Sequence, residues 1–127
     1  MTEDELHRPK YEVTLKDKAK TKKSYYPKEI SSIILADLRK SAQSYTEDQC
    51  SKCVLTIPAY FNQNQIEDTL AACKDVGLEV QNMVYEPTAA AVYHVFDSLK
   101  GNRKIPSVIL VFDFGGGTLD LSIIDTS

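Results

Sequence analysis

Residues 112–123 read FDFGGGTLDLSI. Two alternating apolar segments meet at three consecutive glycines, Gly115, Gly116 and Gly117, in a chain that holds only five. VILVFDF (108–114) predicts a strand, and TLDLSIID (118–125) predicts a second that pairs back on it. A tight hairpin needs positive φ angles, which glycine reaches at little steric cost, and one or two glycines satisfy that need. The third asks for bare backbone, because successive unshielded N–H groups form a concavity for an anion such as phosphate. Thr118 adds a hydroxyl donor. Asp113 and Asp120 supply oxygen acceptors suited to a hydrated magnesium or a monovalent cation beside that phosphate. The same residues also read as a glycine-rich turn with chance flanking carboxylates, and the loop alone does not separate the two.

Upstream the chain predicts regular alternation of elements. Residues 1–10 read as a ragged polar entry, and YEVTL (11–15) followed by a Lys-rich turn at 16–23 and SYY reads as a hairpin with a polar tip. Pro27 and Glu29 mark the first turn of a helix, and apolar residues at helical spacing carry it over 27–45. Cys53 to Ile57 form a continuous apolar run, the pattern of a strand buried on both faces of a parallel sheet, and Pro58 ends it. Asn62 with Gln65 spells a capping box, predicting a helix to about Val76 with Gly77 as its left-handed cap. LEVQNMVY (78–85) predicts a strand, and Pro87 opens a helix to about Leu99. Residues 53–113 therefore spell strand, helix, strand, helix, strand, an α/β arrangement with right-handed parallel connections.

That arrangement places a second constellation, YEPTAAAVY (85–93). Ligands gather at the C-terminal edge of parallel strands, where Glu86 stands. A parallel third strand would bring Asp113 to the same edge. Two carboxylates there suit Mg²⁺ binding and the orienting of an attacking water for phosphoryl transfer. Taken alone, Glu86 also reads as an acid favoured by a helix N-terminus.

Composition bounds the function. A chain of 127 residues, 43% hydrophobic and 26% charged, fits one ordinary domain. The net charge of −3 argues against a general polyanion binder. Residues 1–40 hold ten Lys/Arg against seven Asp/Glu, a basic end read as a solvated hairpin with no nucleic-acid role. No apolar run approaches a membrane span and no signal peptide is apparent, so a cytoplasmic, reducing compartment is the expectation. Cys50 and Cys53 form a C-x-x-C that runs into a strand rather than opening a helix. A zinc site would have to draw on Cys73, His7 and His94, and free thiols are the expected state.

Four stretches, SYYPKEISSIIL (24–35), LTIPAYFN (55–62), YEPTAAA (85–91) and FDFGGGTLDLSI (112–123), together resemble the 70-kDa heat-shock chaperones in order and register. The resemblance covers nearly the whole chain and implies an internal piece of that family's nucleotide-binding domain, with the actin-like, ribonuclease-H-like ATPase fold. It implies that residues 1–26 are the end of the outer subdomain of lobe one, 27–106 its inner core, and 107–127 the first hairpin of lobe two. It further implies that Gly115, Gly116, Gly117 and Thr118 contact the phosphates of ATP or ADP. Asp113 would lie near Mg²⁺ and the attacking water, Glu86 would help place that water or relay nucleotide state, and Asp120 would contact K⁺. Pro58 would switch between nucleotide states. The implied partners are nucleotide and, through the parent protein, J-domain proteins, nucleotide-exchange factors and unfolded polypeptide.

The chain also departs from the family pattern. Tyr85 replaces the usual Asn before Glu-Pro, Ile66 replaces an arginine of the Pro58 relay, and Tyr93-His94 interrupt a small-residue segment. The first phosphate hairpin, the hydrolytic lysine and the residues clasping adenine have no counterpart. No ATP turnover is therefore expected from these residues alone. The alternative expectation is a catalytically inactive, chaperone-like protein that acts through protein–protein contacts. A sugar or acetate kinase of the same fold would not carry IPAYFN followed by EPTAAA.

Overall fold

The computed structural model describes residues 2–4, 8–17 and 19–127. His7, named above as a possible zinc ligand, and Lys18 of the Lys-rich turn lie outside the described residues. The chain divides into two compact units, one of residues 1–53 and 62–80, the other of 54–61 and 81–127.

In the first unit, β1 (Thr2–Glu3), β2 (Pro9–Thr14) and β3 (Lys22–Tyr25) form an antiparallel sheet in that order. The entry is thus more ordered than its polarity predicts, since Thr2 and Glu3 pair with Lys10 and Pro9. Asp4 seats it. Its carboxylate accepts from Arg8 Nε at 2.8 Å and from the Tyr26 hydroxyl at 2.9 Å. Tyr26 in turn caps α1 (Pro27–Thr46), where Glu29 Oε2 accepts the Tyr26 N–H at 2.7 Å.

Helix α2 (Gln63–Asp75) packs on α1, and a Lys28–Asp75 ion pair at 3.0 Å joins them. The predicted capping box is present: Asn62 Oδ1 accepts from Gln65 N at 3.0 Å and Gln65 Oε1 accepts from Asn62 N at 2.9 Å. At the other end Gly77 takes φ +70°, and the Leu78 and Gly77 amides donate to the Cys73 and Lys74 carbonyls at 2.9 and 3.0 Å. This is the Schellman ending that a glycine just after the cap residue Val76 permits.

β4 (Lys52–Ile57) and β5 (Glu79–Tyr85) form a two-stranded sheet. β4 is not buried on both faces. Its exposure alternates, from Val54 at 63% to Ile57 at 0%. The continuous apolar run hides a period of two, because one face of the strand is not covered.

In the second unit, α3 (Glu86–Lys100) packs on the hairpin of β6 (Val108–Phe114) and β7 (Leu119–Asp125). The strands pair antiparallel in register from Val108↔Asp125 to Phe114↔Leu119. Among the described residues β6 pairs with β7 and not with β5, so the expected three-stranded parallel sheet is replaced by two two-stranded sheets. Ile109, Val111 and Ile124 are half-buried on the inner side of the hairpin, whereas Leu110, Phe112 and Phe114 oppose Ile123, Leu121 and Leu119 on an exposed outer side.

Candidate functional site

Tyr85 ends β5 and is the N-cap of α3, so Glu86 is the first residue of the helix rather than the last of the strand. Pro87 follows in the first turn, where its missing N–H costs no hydrogen bond. Asp113 and Asp120 are cross-strand partners in the β6–β7 register, one residue before the hairpin's last pair. With side chains alternating along each strand, the pair shares the inner face with Val111 and Ser122.

These residues meet in one cleft. About 360 Å³ in volume, it is lined by Pro58, Ala59 and Tyr60, by Glu86 and Pro87, and by Val111, Asp113, Asp120, Leu121 and Ser122. All of them belong to the second unit. Asp113 was expected beside Glu86 because a parallel strand would deliver both to one edge. The two do meet, but by another route, since α3 lies against the β6–β7 hairpin.

The electrostatics follow from that meeting. Burial pushes the Glu86 carboxyl above its ordinary value, and the negative charges of Asp113 and then Asp120 push it further the same way. Glu86 therefore senses both aspartates. Among the described residues no three such side chains converge closely enough to cage a metal ion. The donor set is all oxygen, which suits a hard cation that keeps most of its own water, as Mg²⁺ does.

The glycines behave differently from the expectation. None of Gly115, Gly116 and Gly117 has positive φ, and Gly77 is the one glycine that does. The turn is closed by the Gly115 amide donating to the Thr118 carbonyl at 3.0 Å. A Cβ built on Gly116 or Gly117 would meet nothing within 4 Å. Neither backbone angle nor local packing in this chain calls for glycine at these two positions.

Of the residues that sequence and the family resemblance selected, Pro58, Glu86, Asp113 and Asp120 line the cleft, whereas Gly115, Gly116, Gly117 and Thr118 are not part of its lining. Sequence reasoning missed Ala59, Tyr60, Leu121 and Ser122. Ser122 was readable, lying two residues beyond Asp120 on the same strand and hence on the same face. Cys53 and Cys73, with Cys50, remain free thiols.

The fold and the cleft define an α/β protein with an acidic site beside a glycine turn. Residues 2–127 match the family model described as Hsp70 protein. The chain belongs to the Hsp70 family and so is a member of a chaperone family. Among the described residues, no helix is long and apolar enough to cross a membrane.

Proposed function

We propose that this chain carries one side of the phosphate and cation site of an ATP-hydrolysing Hsp70 chaperone with the actin-like fold. The observation that carries the reading is the convergence of Glu86, Asp113 and Asp120 in a cleft next to the Gly115–Thr118 turn. The unexplained glycines support it, because a phosphate needs the close backbone approach that packing in the chain does not.

The residues divide the work by chemistry. Gly115 spends its amide closing the turn, which leaves Gly116, Gly117 and the Thr118 amide and hydroxyl as the phosphate donors. Asp113 would hold a hydrated Mg²⁺ and Asp120 a K⁺. When bound, Mg²⁺ supplies charge neutralisation for the phosphate oxygens. Glu86, with its proton affinity raised, is the carboxyl that orients a water and accepts its proton. Pro58 ends β4 on the cleft wall, where a shift of the strand end would register nucleotide state. Phosphoryl transfer rests on positioning and charge from both sides of the phosphate, so the 127-residue chain binds nucleotide weakly and does not turn it over. J-domain proteins, exchange factors and unfolded polypeptide are then partners of the wider chaperone, working in a reducing cytoplasm.

The test is titration of isotope-labelled protein with Mg²⁺–ADP, followed by amide shifts. Saturable shifts at Gly116, Gly117 and Thr118 that vanish in Asp113→Ala are expected. Shifts confined to other residues, or none at millimolar nucleotide, would remove the reading. Phosphate release abolished by Asp113→Ala would overturn the expectation of no turnover.

A further inference from the structure

The sequence marks Cys50 and Cys53 as the conspicuous cysteine pair, but the fold joins a different one. Alternation along β4 turns Cys53, Leu55 and Ile57 to the covered side, and Cys53 is half-buried there. On α2 the buried residues are Ala72 and Cys73, with Cys73 fully out of water. Backbone bonds lock these places together. The Leu78 amide donates to the Cys73 carbonyl at 2.9 Å, and the next residue's amide, that of Glu79, donates to the Ser51 carbonyl at 2.8 Å. The turn holding Cys73 is thereby tied to the segment that enters Cys53, all within the first unit. Cys53 lies near enough to Cys73 to help hold its proton.

Cys50 is placed otherwise. Its Sγ lies 3.3 Å from the Thr46 hydroxyl. Ser51 is already engaged with Glu79, and the strand starts at Lys52. Cys50 is thus engaged at the end of α1, apart from the covered face of β4 that holds Cys53.

We infer that Cys53 and Cys73 form a reversible dithiol–disulfide site, oxidised by low-molecular-weight disulfides of the glutathione type. Half-exposed Cys53, as thiolate, attacks one sulfur of the disulfide, forming a mixed disulfide and releasing one thiolate. Cys73 then loses its proton to water and attacks the Cys53 sulfur, forming the Cys53–Cys73 bond and releasing the second thiol. The protein gives up two electrons and two protons, and the small disulfide is reduced to two thiols. Burial raises the Cys73 thiol's proton affinity, helped by the neighbouring Cys53. This fits Cys73 as the second, resolving thiol rather than the first attacker.

The tryptic map of the whole chain is favourable for the test. No Lys or Arg falls between Lys52 and Lys74, so Cys53 and Cys73 leave in one peptide and Cys50 in the preceding one. The native chain is treated with glutathione disulfide, blocked with N-ethylmaleimide and digested. The expected result is peptide 53–74 lighter by two hydrogens and unblocked, with Cys50 blocked or carrying glutathione. Closure should be faster in the folded chain than in urea. Cys73→Ala should accumulate glutathione on Cys53, and Cys50→Ser should leave the pair intact. Peptide 53–74 with two blocked thiols, a cross-link to the Cys50 peptide, or equal rates in urea would each overturn the assignment. The unsubstituted chain decides the matter even if Cys73→Ala does not fold.

Discussion

The fold raises the proton affinity of Glu86 through burial and the nearby charges of Asp113 and Asp120. The Glu86 proton is held more tightly in the folded chain than in the unfolded one, so its contribution to stability is fully present below its ordinary value of 4.5 and is lost as pH rises through the folded value. Glu86→Gln should therefore raise the melting temperature at pH 7, and the gain should shrink towards zero as pH falls to about 4. A gain of the same size at both pH values would remove the charge explanation. The glycines give a second contrast. At Gly77 a Cβ would stand 2.9 Å from Arg39 Nη1, which donates to the Val76 carbonyl at 2.6 Å, and φ is already +70°. Gly77→Ala should cost about 1–2 kcal/mol in urea unfolding, whereas Gly116→Ala should stay within roughly 0.5 kcal/mol. Sequence singled out the glycine triplet and Gly77 alike, but assigned positive φ to both. Only Gly77 has it, because the angle depends on how a hairpin closes rather than on which residues permit it.

At the scale of elements, legibility followed locality. The α2 boundaries were readable because Asn62, Gln65 and Gly77 act through bonds to residues three to five positions away. Asn62→Ala should remove one arm of that box and cost about 1 kcal/mol of stability, measured by denaturant titration. Asn62→Asp should retain it. The end of α3 was read to within one residue, about Leu99 against Lys100; there Asn102 takes φ +50° and the Arg103 amide reaches back to the Ser98 carbonyl at 2.8 Å. Strand partnership was legible in part: the pairing of β7 back on β6 was read from the sequence, and the expected β5 neighbour of β6 was the error. VILVFDF has the apolar run of a central strand, and nothing within it says that a β5 neighbour is missing on the edge away from β7. A two-sided apolar strand and a one-sided strand with an exposed apolar face have the same composition. The site survived this error because α3 supplies the proximity that the sheet was expected to supply.

The whole molecule leaves much apolar surface in water. Phe114 is 75% exposed and Ile123 77%, both on the outer side of the β6–β7 hairpin. Replacing the cross-strand pair Leu110 and Ile123 by Lys and Glu puts opposite charges opposite each other on that face. The double variant should bind less hydrophobic dye and self-associate less in sedimentation, with unfolding free energy changed by no more than about 1 kcal/mol. Unchanged dye binding would mean that the accessible apolar surface lies elsewhere.

The small number of fully buried apolar residues, Ile57, Ala72, Cys73 and Ala91 among those described, has a calorimetric consequence. Heat capacity on unfolding comes chiefly from newly wetted apolar area. A chain whose apolar side chains are already largely wet should show an increment below the usual 12–15 cal/mol/K per residue, roughly speaking. Its stability curve against temperature is then shallow and its melting transition broad. Any molecule that covers the outer side of the hairpin will announce itself by a negative heat capacity of binding, readable from the temperature dependence of the binding enthalpy alone.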